Sequence, residues 1–287
     1  MKICGIEAGG TKFVLGIGDE NGNIQIREVI PTETPAKTLA ACKSFILKHQ
    51  PGRVGIASFG PINLDKTSSQ YGFITSTPKP YWENTAFVSE IQTVFNGPIG
   101  FDTDVNGAAL AESVWGKGKS VNSCLYLTIG TGIGGGYVEK NQCLHGLLHP
   151  EMGHILLKKH PEDPFEGICP YHGHCFEGLA SGLAIEARYH LKANQLEDKK
   201  VWEIEAYYIA QASVNYILIL SPEIIILGGG VMNQTQLFPL IRQNVKTLLN
   251  GYVQHSHILN CYDNYITNPG LGDNSGLLGA FALALNA

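Results

Sequence analysis

Two glycine-rich turns constrain this chain more than any other feature of its sequence. Gly9-Gly10-Thr11-Lys12 separates the runs Lys2–Glu7 and Phe13–Gly18, and Gly130-Thr131-Gly132-Ile133-Gly134-Gly135 separates Cys124–Ile129 from Gly136–Lys140. Short apolar runs on both sides of a glycine turn predict a β-hairpin. Such a turn can press backbone N–H groups against phosphate oxygens, because no Cβ blocks their approach. The first turn adds a hydroxyl from Thr11 and an ammonium from Lys12. Two turns of this kind, one opening each half of the chain, predict a triphosphate held between the halves. Residues 130–135 also match the G-x-G-x-x-G dinucleotide pattern. That loop must open a helix, whereas Gly136-Tyr137-Val138-Glu139 reads as a returning strand, which argues against a nicotinamide-dependent enzyme. There is no G-x-x-x-x-G-K-[ST] sequence, so a P-loop is excluded.

The remaining pattern is mixed α/β. Asn21-Gly22 leads into a third strand, Asn23–Val29, and Thr34-Pro35 opens a helix whose Leu39, Cys42, Phe45, Ile46 and His49 recur at helical spacing. Strands are predicted at Val54–Ser58 and Ile99–Thr103, with helices at Phe87–Phe95 and Val105–Trp115. The order then restarts: the second hairpin is followed by helices at Leu183–Ala193 and Val201–Leu220 and a strand at Glu223–Leu227. A helix at Leu237–Asn250 and a last strand at His257–Tyr262 complete it. Two halves that each begin with a glycine hairpin predict a duplicated architecture with the site in the cleft between them. Gly116-Lys117-Gly118-Lys119-Ser120 disfavours regular structure and marks the boundary between domains 1–116 and 117–287, with a final helix near 275–287 able to pack back on the first domain.

Composition narrows the setting. Seven cysteines cannot all pair within the chain, and 287 residues bury a full core without disulfide staples, so a reduced, cytoplasmic compartment is expected. The longest apolar stretch, Gly276–Leu285, is about half the roughly 20 residues a membrane span needs. A net charge of −5 with no Lys/Arg run offers no footprint for nucleic acid.

Phe101-Asp102-Thr103-Asp104-Val105-Asn106 ends a strand and begins a helix, the place where open α/β sheets bind ligands. Asp104 is therefore a candidate general base, with N-capping of the helix as the competing role. Asp102 is the weaker choice because it falls inside the strand. Cys169-Pro170-Tyr171-His172-Gly173-His174-Cys175 has Cys-x2-His-x2-Cys spacing, which suits three ligands of a closed zinc site. His154 or His174 would be the fourth, and His154 is preferred because adjacent His174 and Cys175 would strain around one ion. Glu151 and Glu177 flank this knot as candidate acceptors for sugar hydroxyls. Ile224–Leu227 runs into Gly228-Gly229-Gly230-Val231, where a flat adenine can approach the backbone. His49, His145, His149 and the other remaining histidines read as structural.

These residues resemble the ROK family of sugar kinases and repressors over essentially the whole chain. Glu7-Ala8-Gly9-Gly10-Thr11-Lys12 is similar to the family's first phosphate loop and Gly130–Gly135 to its second. Asp104 and Asn106 fall on its Asp-x-Asn motif, and His149-Pro150-Glu151-Met152-Gly153-His154 on its sugar-binding segment. The resemblance implies an α/β actin-like ATPase (ribonuclease H-like) fold and ATP-dependent phosphorylation of a hexose at its 6-hydroxyl. Asp104 is then the base; Thr103, Asn106, Glu151, His154 and Glu177 meet the sugar. Gly9, Gly10, Thr11, Lys12, Gly130, Thr131, Gly132, Gly228, Gly229, Gly230, Val231 and Met232 meet ATP. It also implies Mg2+ with the ATP, structural Zn2+ on His154, Cys169, His172 and Cys175, and a homodimer. Three departures stand out: His172 replaces the middle cysteine of a Cys-x-Cys-x4-Cys cluster, Thr103 replaces asparagine, and Glu7 replaces aspartate. All three are similar to bacterial fructokinases of the family, which favours fructose over glucose or N-acetylmannosamine. A repressor of the family needs an N-terminal helix-turn-helix, for which a first strand opening at residue 3 is expected to leave no room.

Overall fold

The computed structural model describes residues 1–77, 79–260 and 262–287. Two five-stranded sheets dominate. The first contains β1 (Ile3–Ala8), β2 (Lys12–Gly18), β3 (Ile24–Pro31), β4 (Arg53–Ser58) and, after the short pair β5 (Phe73–Ile74) and β6 (Thr85–Ala86), β7 (Ile99–Thr103). Between these strands lie α1 (Pro35–His49) and α2 (Phe87–Gln92), and β7 is followed by α3 (Asp104–Val114). Its strand order is β3-β2-β1-β4-β7, with β1–β3 antiparallel and β1, β4 and β7 parallel.

The second sheet contains β8 (Ser123–Ile129), β9 (Ile133–Glu139), β10 (Gln142–Cys143), β11 (Ile224–Gly228) and β12 (Ile266–Thr267). Its order, β10-β9-β8-β11-β12, repeats that of the first, and β8, β11 and β12 are parallel. The helices are α4 (Phe176–Ala180), α5 (Gly182–Tyr189), α6 (Lys199–Leu220), α7 (Leu237–Leu249), α8 (Ser256–Asn260), α9 (Tyr262–Tyr265) and α10 (Ser275–Leu285). The chain forms two compact units: residues 1–120, 136–150 and 270–287 make the first, and 121–135 with 151–269 the second.

In the first unit, Cys4, Ile6 and Ala8 face one way with α1 and the Trp82–Phe87 cluster, whereas Ile3 and Val14 face α10 with Leu277 and Phe281. Period-2 alternation along β1 therefore feeds two cores, one on each face of the sheet. The second face is flat because it carries glycines. A Cβ on Gly55 would lie 1.7 Å from the Ala280 carbonyl oxygen, and one on Gly100 would lie 2.0 Å from that of Leu283. Backbone-to-backbone approach of this closeness is what glycine inside a strand makes possible.

The helices expected over Leu183–Ala193 and Phe87–Phe95 end early, at Tyr189 and Gln92, and two other expected elements differ in kind. His257–Tyr262 is not a strand: the chain is helical over Ser256–Asn260 and Tyr262–Tyr265, Cys261 lies outside the described residues, and the last strand is Ile266–Thr267. Periodicity cannot separate helix from strand in so short a run. Residues Lys117–Ser120, expected to be irregular, form a turn of 3-10 helix whose first N–H is held by the Glu112 carboxylate at 3.0 Å. Glu112 has no exposure and also accepts from the N–H groups of Gly270 and Leu271, both at 3.0 Å, and from the Ser275 hydroxyl at 3.2 Å. One carboxylate thus ties the residues after α3 to those before α10.

Glu112→Ala removes a buried acceptor from three backbone N–H groups and the buried Ser275 hydroxyl at once and is expected to cost about 2–4 kcal/mol. Thermal unfolding measures it, and a fall in the midpoint of less than about 2 °C would contradict it.

Candidate active site and metal centre

In the first unit, β7 delivers Asp102 and Thr103 to the start of α3. Thr103 is the N-cap: its φ is −66° and ψ 154°, and its Oγ1 accepts from the Asn106 N–H at 3.1 Å. The capping role weighed for Asp104 therefore belongs to its neighbour. Asp104 is the first residue of α3, half-buried, with Oδ1 accepting from the Val105 N–H at 2.9 Å. Asn106 is buried; its Nδ2 donates to Asp102 Oδ1 at 2.8 Å, and its Oδ1 is a buried acceptor without a partner among the described residues. Asp102 is 3% exposed, and besides Asn106 it accepts from the Thr103 N–H at 2.7 Å and pairs through Oδ2 with His145 Nε2 at 2.8 Å.

The first glycine turn lies on the same sheet. Gly9 donates to the Lys12 carbonyl at 3.0 Å, and the Gly9 carbonyl accepts from the Thr32 hydroxyl at 2.7 Å, leaving Gly10, Thr11 and Lys12 exposed. Glu7, before this turn, is half-buried. Burial pushes its carboxyl up, against the opposing pull of Lys12 and Arg27. Gly276 makes space for it, since a Cβ there would come within 2.3 Å of Glu7 Oε1.

In the second unit, the turn 130–132 joins the neighbouring strands β8 and β9. Gly130 donates to the Gly132 carbonyl at 2.9 Å and accepts from the Gly182 N–H at 2.7 Å. Gly228–Gly230 ends the adjacent parallel strand β11, and Gly229 has a φ of +90°, open to glycine alone at little cost. A Cβ on Gly130 would sit 3.9 Å from the Gly230 amide nitrogen, so the two glycine segments back onto each other. Val231 and Met232 continue as a buried 3-10 turn.

The Cys/His knot closes in the same unit. One ligand atom from each of His154, Cys169, His172 and Cys175 lies within 4.8 Å of all the others, and His174 is outside this group. His154 Nδ1 is 3.7 Å from Cys169 Sγ and 3.5 Å from Cys175 Sγ, and His172 Nδ1 is 3.6 Å from Cys169 Sγ. A tetrahedral ion with Zn–S and Zn–N bonds of ordinary length sets its sulfur and nitrogen ligands about 3.6 Å apart, so these residues fit zinc. Burial pushes the Cys175 thiol up to about 11, and a thiolate there depends on a cation beside it.

With Nδ1 turned to the knot, His154 presents Nε2 to Glu177 Oε1 at 3.9 Å. Glu177 Oε2 accepts from the Ile133 N–H at 2.9 Å, which links the knot to the second glycine turn. Glu151 is exposed, and its carbonyl accepts from the His154 N–H at 3.0 Å. His145, read as structural from the sequence, proves to be a partner of Asp102. It lies 43 residues away, and no spacing rule spans that distance.

Two sheets of matching strand order, each with a glycine turn at the head of its first hairpin, define the actin-like ATPase fold. The chain belongs to the ROK family, whose model matches residues 3–287. A Bacillus subtilis (strain 168) relative, provisionally assigned as a fructokinase, is 50% identical over 286 residues, covering 99% of this chain and 96% of its own length. The fructokinase of Zymomonas mobilis subsp. mobilis is 45% identical over 297 residues, covering 100% of this chain and 97% of the relative. Among solved structures, the ROK hexokinase of Thermus thermophilus matches with a TM-score of 0.82 at 25% identity, covering 100% of this chain and 98% of that one.

Proposed function

We propose that the chain transfers the γ-phosphoryl group of ATP to the 6-hydroxyl of D-fructose. The observation that carries this reading is the head of α3. There Thr103 caps the helix, Asp104 opens it half-buried with Oδ1 on the Val105 N–H at 2.9 Å, and a buried Asn106 oxygen has no donor among the described residues. In this reading a sugar hydroxyl supplies the donor that oxygen lacks. Fructose is favoured by the relatives that bear the fructokinase name at 45% identity over nearly their full length.

In this reading Asn106, Glu151, His154 and Glu177 orient the sugar, with Thr103 behind them. Gly9–Lys12 and Gly130–Gly132 receive the phosphates of Mg-ATP, and Gly228–Met232 receives the adenosine. As the sugar oxygen bonds to the γ-phosphorus, its proton passes to Asp104 and the bond to the β–γ bridging oxygen breaks, releasing ADP. The protein's share is positioning and charge stabilisation. His154, Cys169, His172 and Cys175 would hold zinc as a closed structural crosslink with no open position for catalysis.

ADP release with Mg-ATP, offered fructose, glucose, mannose and N-acetylmannosamine in parallel, tests the proposal. Fructose is expected to give a kcat/KM at least tenfold above the others, and equal turnover of glucose would refute the substrate assignment. Light scattering on the same sample tests the expected homodimer.

A further inference from the structure

The pair Asp102 and His145 is left over by the chemistry above, yet it adjoins the residue that does it. Asp102 lies two positions before Asp104, almost wholly buried, and each of its oxygens is engaged. Oδ1 receives the Thr103 N–H at 2.7 Å and the Asn106 side chain at 2.8 Å; Oδ2 meets His145 Nε2 at 2.8 Å. The carboxylate therefore grips the strand end and the first turn of α3 together. His145 is different: its side chain is 40% exposed, beside a cavity of about 870 Å3. Both residues line the cavity, but the imidazole is far more open to solvent than the carboxylate it faces, whose side chain is 5% exposed.

We propose that Asp102 and His145 are positioning residues for the base. Asp102 locks the turn that carries Asp104, and the charge on His145 sets how strongly negative the surroundings of Asp104 are. The proposal rests on Asp104 being the base. With His145 protonated, the pair is neutral overall; with His145 neutral, Nε2 still donates and the pair carries one negative charge. A like charge close by raises the proton affinity of a carboxylate and makes it a stronger base.

His145 is the imidazole bonded directly to Asp102, at 2.8 Å. Its hydrogen bond to Asp102, aided by that residue's charge and opposed by burial, holds its proton to higher pH than an ordinary imidazole. Burial and the Asp102 charge together push Tyr71 and the Cys143 thiol upward, so both stay protonated near neutrality. Asp65, Lys66 and Lys140 also line the cavity, as does a second imidazole, His149, whose Nε2 accepts from the Ile62 N–H at 3.1 Å. Because the folded His145 titrates above the ordinary value of 6.5, kcat should rise through a step lying above pH 6.5, by about threefold.

The experiment is the pH profile of kcat for the purified full chain with saturating fructose and Mg-ATP. His145→Gln keeps a side-chain N–H for Asp102 but cannot titrate, and the step is expected to vanish. Asp102→Ala is expected to lower kcat about thirtyfold with KM for fructose changed less than twofold. Asp102→Asn should recover part of that loss, since its amide oxygen still accepts from Thr103 and Asn106. Persistence of the step in His145→Gln overturns the proposal, and that variant, altered at a half-exposed side chain, decides the matter even if Asp102→Ala fails to fold. Near-normal turnover by Asp104→Asn would instead remove the base assignment, so the two failures are distinct.

Discussion

Asp104→Asn is expected to lower kcat for fructose phosphorylation about a thousandfold, within the range that a positioned general base contributes. The substitution is nearly isosteric. Its amide oxygen can still accept from the Val105 N–H, as Asp104 Oδ1 does at 2.9 Å, and the helix cap stays with Thr103. Stability should therefore change by less than about 1 kcal/mol, because neither cap nor core is touched. KM for fructose should also stay within a few-fold, since the proton acceptor acts mainly as charge develops on the attacking oxygen. Steady-state ADP release together with a thermal melt separates these effects. A variant that melts like the parent and turns over at more than a tenth of its rate would show that the base lies elsewhere.

Removal of metal is the second large effect. Cys175→Ser keeps a hydroxyl where Cys175 Sγ accepts the Gly178 N–H at 3.4 Å, so α4 keeps its cap while the knot loses a soft ligand. Tightly bent backbone surrounds it. Cys169 and Gly173 exchange two backbone hydrogen bonds, at 3.2 and 2.9 Å, and a Cβ on Gly178 would come within 2.0 Å of the Gly173 carbonyl. Cys175→Ser, or the parent after exhaustive chelation, is expected to hold less than a tenth of an equivalent of zinc by elemental analysis. The melting midpoint should fall by about 10 °C, as a structural crosslink is lost. Turnover should fall with it, because His154 belongs to the knot and also faces Glu177, 3.9 Å away. Parent protein that purifies without zinc and melts and turns over unchanged after chelation would mean that the four side chains meet without serving as a metal site.

Much of this was legible in the sequence because the signals act over short range. Thr103-Asp104 at a strand end announces a capped helix, although only the structure assigns the cap to Thr103 and not to Asp104. The spacing of Cys169, His172 and Cys175 lets one loop supply three ligands, and strain around adjacent His174 and Cys175 argues for His154 as the fourth. The Asp102–His145 pair was not legible, because it depends on how residues after β10 return to α3. The run His257–Tyr262 misled for the opposite reason: it is too short for its periodicity to choose between helix and strand.

By itself, then, the sequence determined the two glycine hairpins, the base at the head of α3 as a candidate, and the composition of the metal knot. Each is set by covalent neighbours, whose conformational preferences travel with the chain. Tertiary structure alone decided that Gly55 and Gly100 clear a floor for α10, that Glu112 ties the segments before and after the second unit, and that a histidine 43 residues away answers Asp102. Those contacts join residues far apart in the chain. Their free energy exists only once the sheet has brought the partners together, and no local pattern records it.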